Sequence, residues 1–339
     1  MAERVLVTGA AGFIGSTLVE RLLLRGDRVV GLDNFDPFYA RTHKERNLAA
    51  ARAHPAFRLV EADCADLATV RQALAGEEFD LVVHLAAKAG VRPSLRQPLS
   101  YVSANVAGTQ AMLELARERG IERFVFASSS SVYGNSPRVP FSEDDRVDAP
   151  ISPYAATKVA GELLARTYNH LYGLAVVALR FFTVYGPRQR PDLAIRKFTT
   201  LMLRGEPIPV FGDGGTQRDY TWVDDILGGV AAAMDYTRKR RGAFEIVNLG
   251  GNRTTTLRRL IELVAGALGV TPRLDHRASQ PGDVERTYAD ISKAHRLLGY
   301  APTVTPEEGI PRFVSWLKSY DGAAAPAPAL AGTLPDPRD

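Results

Sequence analysis

The chain opens on a short β-rich run, Arg4–Thr8, that breaks into Thr8-Gly9-Ala10-Ala11-Gly12-Phe13-Ile14-Gly15 and passes straight into a stretch of helical period, Phe13–Arg25. Three glycines at that spacing, between a strand and a helix, constrain the fold more than any other feature. Gly9 permits a sharp turn, Gly12 lets a pyrophosphate approach the backbone, and Gly15 lets the helix pack close to the sheet. The exposed N–H groups of the helix start, at Phe13, Ile14 and Gly15, then face phosphate oxygens. A second β-branched run, Arg28–Leu32, ends in Asp33-Asn34. A carboxylate at Asp33 can accept from both ribose hydroxyls and repels a 2′-phosphate, which selects NAD over NADP.

The same alternation continues. Apolar runs at Phe57–Glu61, Leu81–His84, Arg123–Ala127 and Val176–Leu179 are separated by amphipathic stretches, among them Gln110–Arg119 and Tyr154–Tyr172. This predicts βαβ units in an α/β fold: a Rossmann-type, doubly wound parallel sheet with helices on both faces. Nearly continuous apolar strands fit a sheet buried on both sides. After Phe181 glycine and proline punctuate residues 185–220, and helical period returns at Val223–Tyr236, Leu257–Leu268, Ile291–Leu298 and Glu307–Tyr320. The expected organisation is an NAD-binding domain over residues 1–180, rejoined by about 221–250. Residues 181–220 and 251–320 are expected to form a smaller, mostly helical substrate lobe. The Ala/Pro-rich stretch 321–339 reads as a disordered tail.

With 45% hydrophobic and 24% charged residues in 339, the chain has a globular composition. The single cysteine, Cys64, excludes a disulfide framework and a zinc site built on cysteine pairs, and no metal is expected. Lys+Arg 42 against Asp+Glu 38 leaves a dispersed +4, so no nucleic-acid partner is expected. No segment has the roughly 20 continuous apolar residues of a membrane span, and none has the apolar stretch of a signal peptide. A cytoplasmic location is the expectation.

Ligands in such sheets bind beyond the carboxyl ends of the strands, so the residues after each run carry the chemistry. Asp63-Cys64 follows the third strand and is placed beside the adenine. Leu85-Ala86-Ala87 follows the fourth, where small residues let the chain run along the cofactor, and His84 is read as structural. Ser128-Ser129-Ser130-Ser131-Val132-Tyr133-Gly134 follows the fifth, and a helix then begins at Ser152-Pro153-Tyr154. Tyr154 and Lys158 are four apart and share one helix face. A free tyrosine is only ~0.1% phenolate at pH 7, and lowering its pKa by about three units takes about 4 kcal/mol of differential stabilisation. An adjacent ammonium and a positively charged nicotinamide ring can supply that, making Tyr154 a general base for a substrate hydroxyl. The Lys44-Glu45-Arg46 segment reads as an exposed helix face.

With the glycine turn, Asp33, the serine cluster and the Tyr154/Lys158 pair in this order, the chain resembles the extended short-chain dehydrogenase/reductase family over about residues 3–320. The resemblance implies that Gly9, Gly12, Gly15 and Asp33 bind NAD. It further implies that Ser129 assists Tyr154, that Lys158 orients the ribose and tunes the tyrosine, and that Asn105 lies near the site. Nucleotide-sugar 4,6-dehydratases of this family carry Thr-Asp-Glu where this chain has Ser129-Ser130-Ser131, and UDP-glucuronate decarboxylases carry a glutamate at the last of these places. Their absence points to the epimerase branch, in which C4 is oxidised and the same hydride returns to the opposite face. The segment Leu32–Phe35 with Tyr39, the run Leu179–Asp192 and the stretch Gln280–Asp283 resemble UDP-glucuronate 4-epimerases. UDP-galactose 4-epimerases usually have Asn-Pro at Thr183-Val184 and an arginine at Gln280. Arg218-Asp219-Tyr220 matches the family's diphosphate-binding segment. The resemblance thus implies a UDP-sugar contacted by Arg218, Gln280 and Asp283; a uronic acid's carboxylate must also be held, a task suited to the short hydroxyls of Ser129, Ser130 and Thr183 and to Arg190, with Arg92 as a second candidate cation. It also implies a homodimer through helices around 100–118 and 154–172. A UDP-glucose/UDP-galactose or N-acetylhexosamine 4-epimerase is the alternative enzyme. A non-catalytic dinucleotide-sensing regulator is the alternative of another class, and the Tyr154/Lys158 pair speaks against it.

Overall fold

The structure, a computed structural model, describes residues 2–278 and 284–322. Gln280, Asp283 and residues 323–339 of the expected tail lie outside them. Seven parallel strands form the central sheet: β1 (Arg4–Thr8), β2 (Arg28–Asp33), β3 (Phe57–Glu61), β4 (Leu81–His84), β5 (Arg123–Ser129), β6 (Ala175–Phe181) and β7 (Phe244–Leu249). Their spatial order is β7-β6-β5-β4-β1-β2-β3. The order reverses between β1 and β4, where Thr8 pairs with Leu32 on one side and with His84 on the other. A crevice opens at such a reversal because the two connections leave the sheet in opposite directions.

The strands read as apolar runs because both faces are covered. Val5 and Val7 enter one core with Val83, Val125 and Val177; Leu6 enters the other with Val82, Phe124 and Val176. Side chains alternate across a strand, so a sheet buried on both sides needs apolar residues at every position. The helix Val223–Lys239 packs on β5 and β6 and leads into β7, which pairs with β6. Strand β7 was not foreseen, because Glu245 and Asn248 interrupt its apolar run. On this edge strand both polar residues have partners: Tyr236 and Lys293 for Glu245, Tyr133 and the Phe141 carbonyl for Asn248.

Beyond Phe181 the chain forms short paired strands, Thr183–Tyr185 with Tyr220–Trp222 and Ile208–Phe211 with Leu274–Arg277. With them stand the helices Ala194–Leu203, Leu257–Leu268 and Pro306–Gly322. The first of these helices lies in the stretch whose sequence reads as loop. The last runs two residues into the segment expected to be tail.

Candidate active site

The glycine turn is built as its sequence requires. Gly9 has φ +69°, and a Cβ on Gly15 would lie 2.0 Å from the Gly9 carbonyl oxygen, so the helix Phe13–Leu24 sits directly on the turn. Its N-cap, Gly12, supplies no side-chain cap, and Phe13, Ile14 and Gly15 line a cleft of about 400 Å³. The cleft passes Asp33, Asn34, Asp63 and Cys64, follows Leu85–Ala87, and ends among Ser128–Ser131, Tyr154, Lys158, Thr183 and Arg190. Backbone donors at a helix start, a carboxylate at the next strand's end and a floor of small residues fit a dinucleotide. Burial pushes the Cys64 thiol upward.

Asp33 is buried and heavily engaged. Its carboxylate accepts from Phe35 N at 2.8 Å and Ala11 N at 3.0 Å, and Lys44 Nζ lies 3.2 Å away. Lys44 corrects the reading of its segment as an exposed face: it is 6% exposed. On the helix Arg41–Asn47, Lys44 and Asn47 are three apart and turn inward together, Asn47 donating to the Ala11 carbonyl at 3.1 Å. A buried ammonium needs a partner, and Asp33 is that partner.

At the catalytic end, Ser152 caps the helix Pro153–Tyr172, accepting from Ala155 N at 3.1 Å with Pro153 at the first helical position. This fixes Tyr154 in the first turn and Lys158 in the next, above the end of β5. Lys158 Nζ donates to the Ala127 carbonyl at 2.6 Å, and burial pushes its pKa down to about 8 against the pull of Glu162. Burial pushes the Tyr154 hydroxyl up, while a hydrogen bond with Ser129 and the field of Arg190 pull it down. The protein's own groups therefore do not by themselves make the phenolate that the sequence argument calls for. Tyr101 stands edge-on to Tyr154 at 6.1 Å. Ser129 caps the turn Ser130–Tyr133 and donates to Ser131 Oγ at 3.1 Å, and Ser128 donates to Glu162. His84 is held by Thr8 at 2.7 Å and Thr109 at 3.1 Å, and burial pushes it down to about 3, the neutral form.

The remaining expected residues divide. Thr183 and Arg190 line the cleft. Arg190 is paired with Asp192 at 3.0 and 2.7 Å, donates to the Ala89 carbonyl at 3.2 Å, and lies 5.0 Å from the Phe38 ring centre. Asn105, expected near the site, backs the cleft wall: it clasps the backbone of the lining residue Lys88 at 2.7 and 2.9 Å and donates to Thr157 at 2.9 Å. Arg92 is outside the described cleft wall, over the Phe211 ring at 4.8 Å. So is Arg218, which donates to the carbonyls of Gln217 and Glu285. The cleft also holds groups the sequence did not single out, chiefly Lys44, Phe38 and the ion pair of Lys88 with Asp36 at 3.0 Å. The one signal for Lys44 was its spacing of three from Asn47 in a short polar helix.

The family described as GDP-mannose 4,6 dehydratase matches residues 6–313. A UDP-glucuronate 4-epimerase of Thermodesulfobacterium geofontis is 42% identical over 315 residues, covering 92% of this chain and 95% of that one. The crystal structure of UDP-glucuronic acid 4-epimerase from Bacillus cereus, in complex with UDP-glucuronic acid and NAD, superposes with a TM-score of 0.86 at 37% identity, covering 94% and 99% of the two chains. A UDP-glucose 4-epimerase of Thermotoga maritima with UDP-glucose gives 0.85 at 33% identity, covering 94% and 99%.

Proposed function

The chain belongs to the GDP-mannose 4,6 dehydratase family, within the extended short-chain dehydrogenase/reductases, and from that premise we propose that it interconverts UDP-glucuronate and UDP-galacturonate by NAD-dependent 4-epimerisation. One observation carries this reading: a single cleft joins Asp33 to Tyr154 and Lys158, and these to Ser129, Ser130, Thr183 and Arg190. Among the described lining residues the carboxylates are Asp33, Asp36 and Asp63, and the turn beside Tyr154 holds serines. A dehydratase needs an acid for the leaving C6 hydroxyl and a base for the C5 proton. Serine hydroxyls near pH 7 supply neither, whereas epimerisation needs only the C4 proton moved.

Gly9, Gly12, Phe13, Ile14 and Gly15 would hold the NAD pyrophosphate, Asp33 and Asn34 the adenosine ribose, and Asp63 and Cys64 the adenine edge. Leu85–Ala87, Ser128 and Lys158 would flank the other half. Bound NAD supplies reversible hydride exchange at C4 of the sugar. Tyr154 takes and returns the proton of the C4 oxygen, Ser129 hydrogen-bonds the same oxygens, and the Lys158 ammonium favours the phenolate. Arg190, Thr183, Ser129 and Ser130 grip the C6 carboxylate. That grip has a second task. A uronic acid with a ketone at C4 is a β-keto acid, and it loses CO2 readily when C5–C6 stands perpendicular to the ketone plane; a clamped carboxylate is kept from that geometry. Arg218 is assigned to the diphosphate, with residues 181–220 and 251–320 as the UDP-sugar lobe and 1–180 with about 221–250 as the NAD domain.

The enzyme is further proposed to act in the cytoplasm as a homodimer. In support, Leu99 and Leu163, on elements that pack together, are 82% and 64% exposed, and Leu95, Val102, Leu171 and Tyr172 extend the same helical region. The deciding experiment is a product assay with purified enzyme and UDP-glucuronate, UDP-glucose and UDP-N-acetylglucosamine. Formation of UDP-galacturonate at the highest kcat/KM is the expected result. Turnover of a neutral sugar with none of the acid would move the assignment to a hexose epimerase.

A further inference from the structure

The helix Arg41–Asn47 is used on two faces at once. Lys44 and Asn47 point to the cofactor end, toward Asp33 and the Ala11 carbonyl inside the glycine turn. His43 and Arg46, also three apart, meet Tyr320 in the last turns of the helix Pro306–Gly322. The Tyr320 hydroxyl lies 2.8 Å from His43 Nδ1, and the two rings stack with centres 5.8 Å apart. The Arg46 guanidinium sits 3.6 Å from the Tyr320 ring centre and donates to the Tyr320 carbonyl at 2.7 Å. The same ring meets Trp316 at 4.8 Å and the buried Arg196 at 5.4 Å. Arg196 in turn donates to the Gln189 carbonyl at 2.6 Å, one residue before Arg190.

A seven-residue helix has too few internal hydrogen bonds to stand alone, so tertiary contacts must hold it in place. The inward contacts alone are a poor anchor. Lys44 is a long side chain whose burial is tolerated only while Asp33 is in reach. Tyr320 is a better one, with a large rigid face, two torsions to fix, and a cation and an imidazole against it. Its own helix is secured independently, since Ile310, Phe313, Val314 and Leu317 are buried in the main core. Arg41 ties the first turn to Glu61 at 2.7 Å and Leu48 buries the far end, so loss of Tyr320 would loosen the His43/Arg46 face and the seating of Lys44 and Asn47 without undocking either helix.

We infer that Tyr320 is a positioning residue of the dinucleotide subsite: through His43 and Arg46 it holds Lys44 and Asn47 onto Asp33 and the glycine turn, and so sets how tightly NAD is retained. The inference rests on the NAD site assigned above. It ties the end of the C-terminal helix to cofactor retention, which matters for an enzyme that regenerates its NAD at every turnover.

The test compares wild type with Tyr320→Ala, Tyr320→Phe, Arg46→Leu, Lys44→Met and the Tyr320→Ala/Lys44→Met double variant. NAD affinity is measured by titration after stripping, and NAD retention by analysis of nucleotide released from dialysed protein. Tyr320→Ala and Arg46→Leu should each weaken NAD binding by about tenfold or more, the scale of about 1.4 kcal/mol. Tyr320→Phe, which keeps the ring, should stay within about threefold on the same scale. KM for the UDP-sugar at saturating NAD should change less than about twofold, a difference well under one decade of binding. The double variant should bind NAD about as weakly as the weaker single variant, because both changes act on one contact chain. NAD binding by Tyr320→Ala and Arg46→Leu equal to wild type would overturn the inference, as would losses that multiply in the double variant. If Tyr320→Ala does not fold, Arg46→Leu and Tyr320→Phe decide alone. Wild type that binds no NAD would overturn the cofactor assignment itself, a result distinct from wild type and variants binding it equally.

Discussion

Arg180 and Glu162 form a buried two-bond ion pair, 2.9 and 2.8 Å, beside the end of β5, with the Ser128 hydroxyl donating to the same carboxylate. Glu162 is one helical turn beyond Lys158, and its charge is the pull that opposes the burial of that ammonium. Glu162→Gln should have two effects. It strands the Arg180 guanidinium in the interior, which costs about 3–5 kcal/mol and is read as a lowered Tm. It also removes the group that raises the Lys158 pKa, so the ammonium deprotonates at lower pH. If, as proposed, activity needs Lys158 charged, the alkaline limb of kcat/KM should move below about pH 8, where burial already places Lys158. A folded variant with an unmoved limb would remove Glu162 from the tuning of Lys158.

Tyr154→Phe removes the proposed proton acceptor while keeping the ring against Tyr101. It should lower kcat by about 10²–10⁴-fold, the usual general acid–base contribution. NAD content should stay near that of wild type. Full activity in the purified variant would take Tyr154 out of the mechanism.

Arg190→Ala tests the carboxylate grip. Asp192 holds one edge of this guanidinium, and removing a charged partner in a closed pocket is worth on the order of 2–4 kcal/mol. UDP-glucuronate turnover should therefore fall about 30- to 1,000-fold, with a much smaller loss on any neutral UDP-hexose. Some decarboxylated 4-keto pentose should accumulate. Equal losses on acid and neutral sugars would return Arg190 to the diphosphate or to folding.

Asp33, the proposed ribose acceptor, has a carboxylate already accepting from Ala11 N and Phe35 N and paired with Lys44. As the proposed acceptor for the ribose hydroxyls it should disfavour a 2′-phosphate despite the Lys44 ammonium paired with it, so denatured wild type should release NAD and little NADP. A preponderance of NADP in the extract would contradict the ribose assignment.

Asp219 carries a pH-dependent cost of folding. Burial pushes its pKa up to about 6, although Gly251 N and Ala289 N donate to it at 2.6 and 3.1 Å. A raised carboxyl pKa means the native state favours the protonated form. Its contribution is therefore fully present below about pH 4, and it is lost as pH rises through about 6. The stability of wild type relative to Asp219→Asn should be greater at pH 4 than at pH 7 by about 2 kcal/mol, most of the span of about two pKa units. Denaturant melts at the two pH values measure it; a difference independent of pH would contradict the raised value.

The sequence alone determined the parts of this protein that local chemistry controls. A glycine whose Cβ would strike its own turn, a carboxylate at a strand end, a capped helix with tyrosine and lysine one turn apart and apolar runs of strand length each carry their meaning within a few residues. The sheet, the cofactor end and the Tyr154/Lys158 helix were legible for that reason. Only the tertiary structure decided the rest. Lys44 looked like a surface residue until Asp33, eleven positions earlier, was seen to neutralise it. Asn105 spends both its N–H donors and its carbonyl oxygen on the Lys88 backbone and Thr157, contacts that nothing in its own neighbourhood of the sequence announces. Strand β7 was hidden by Glu245 and Asn248, whose partners include Lys293, Tyr133 and the Phe141 carbonyl on distant segments. Tyr320 meets His43 and Arg46 from 277 and 274 residues away. The energy of a buried polar group depends on which partner reaches it, and partners brought together by folding leave no mark on the spacing of either one.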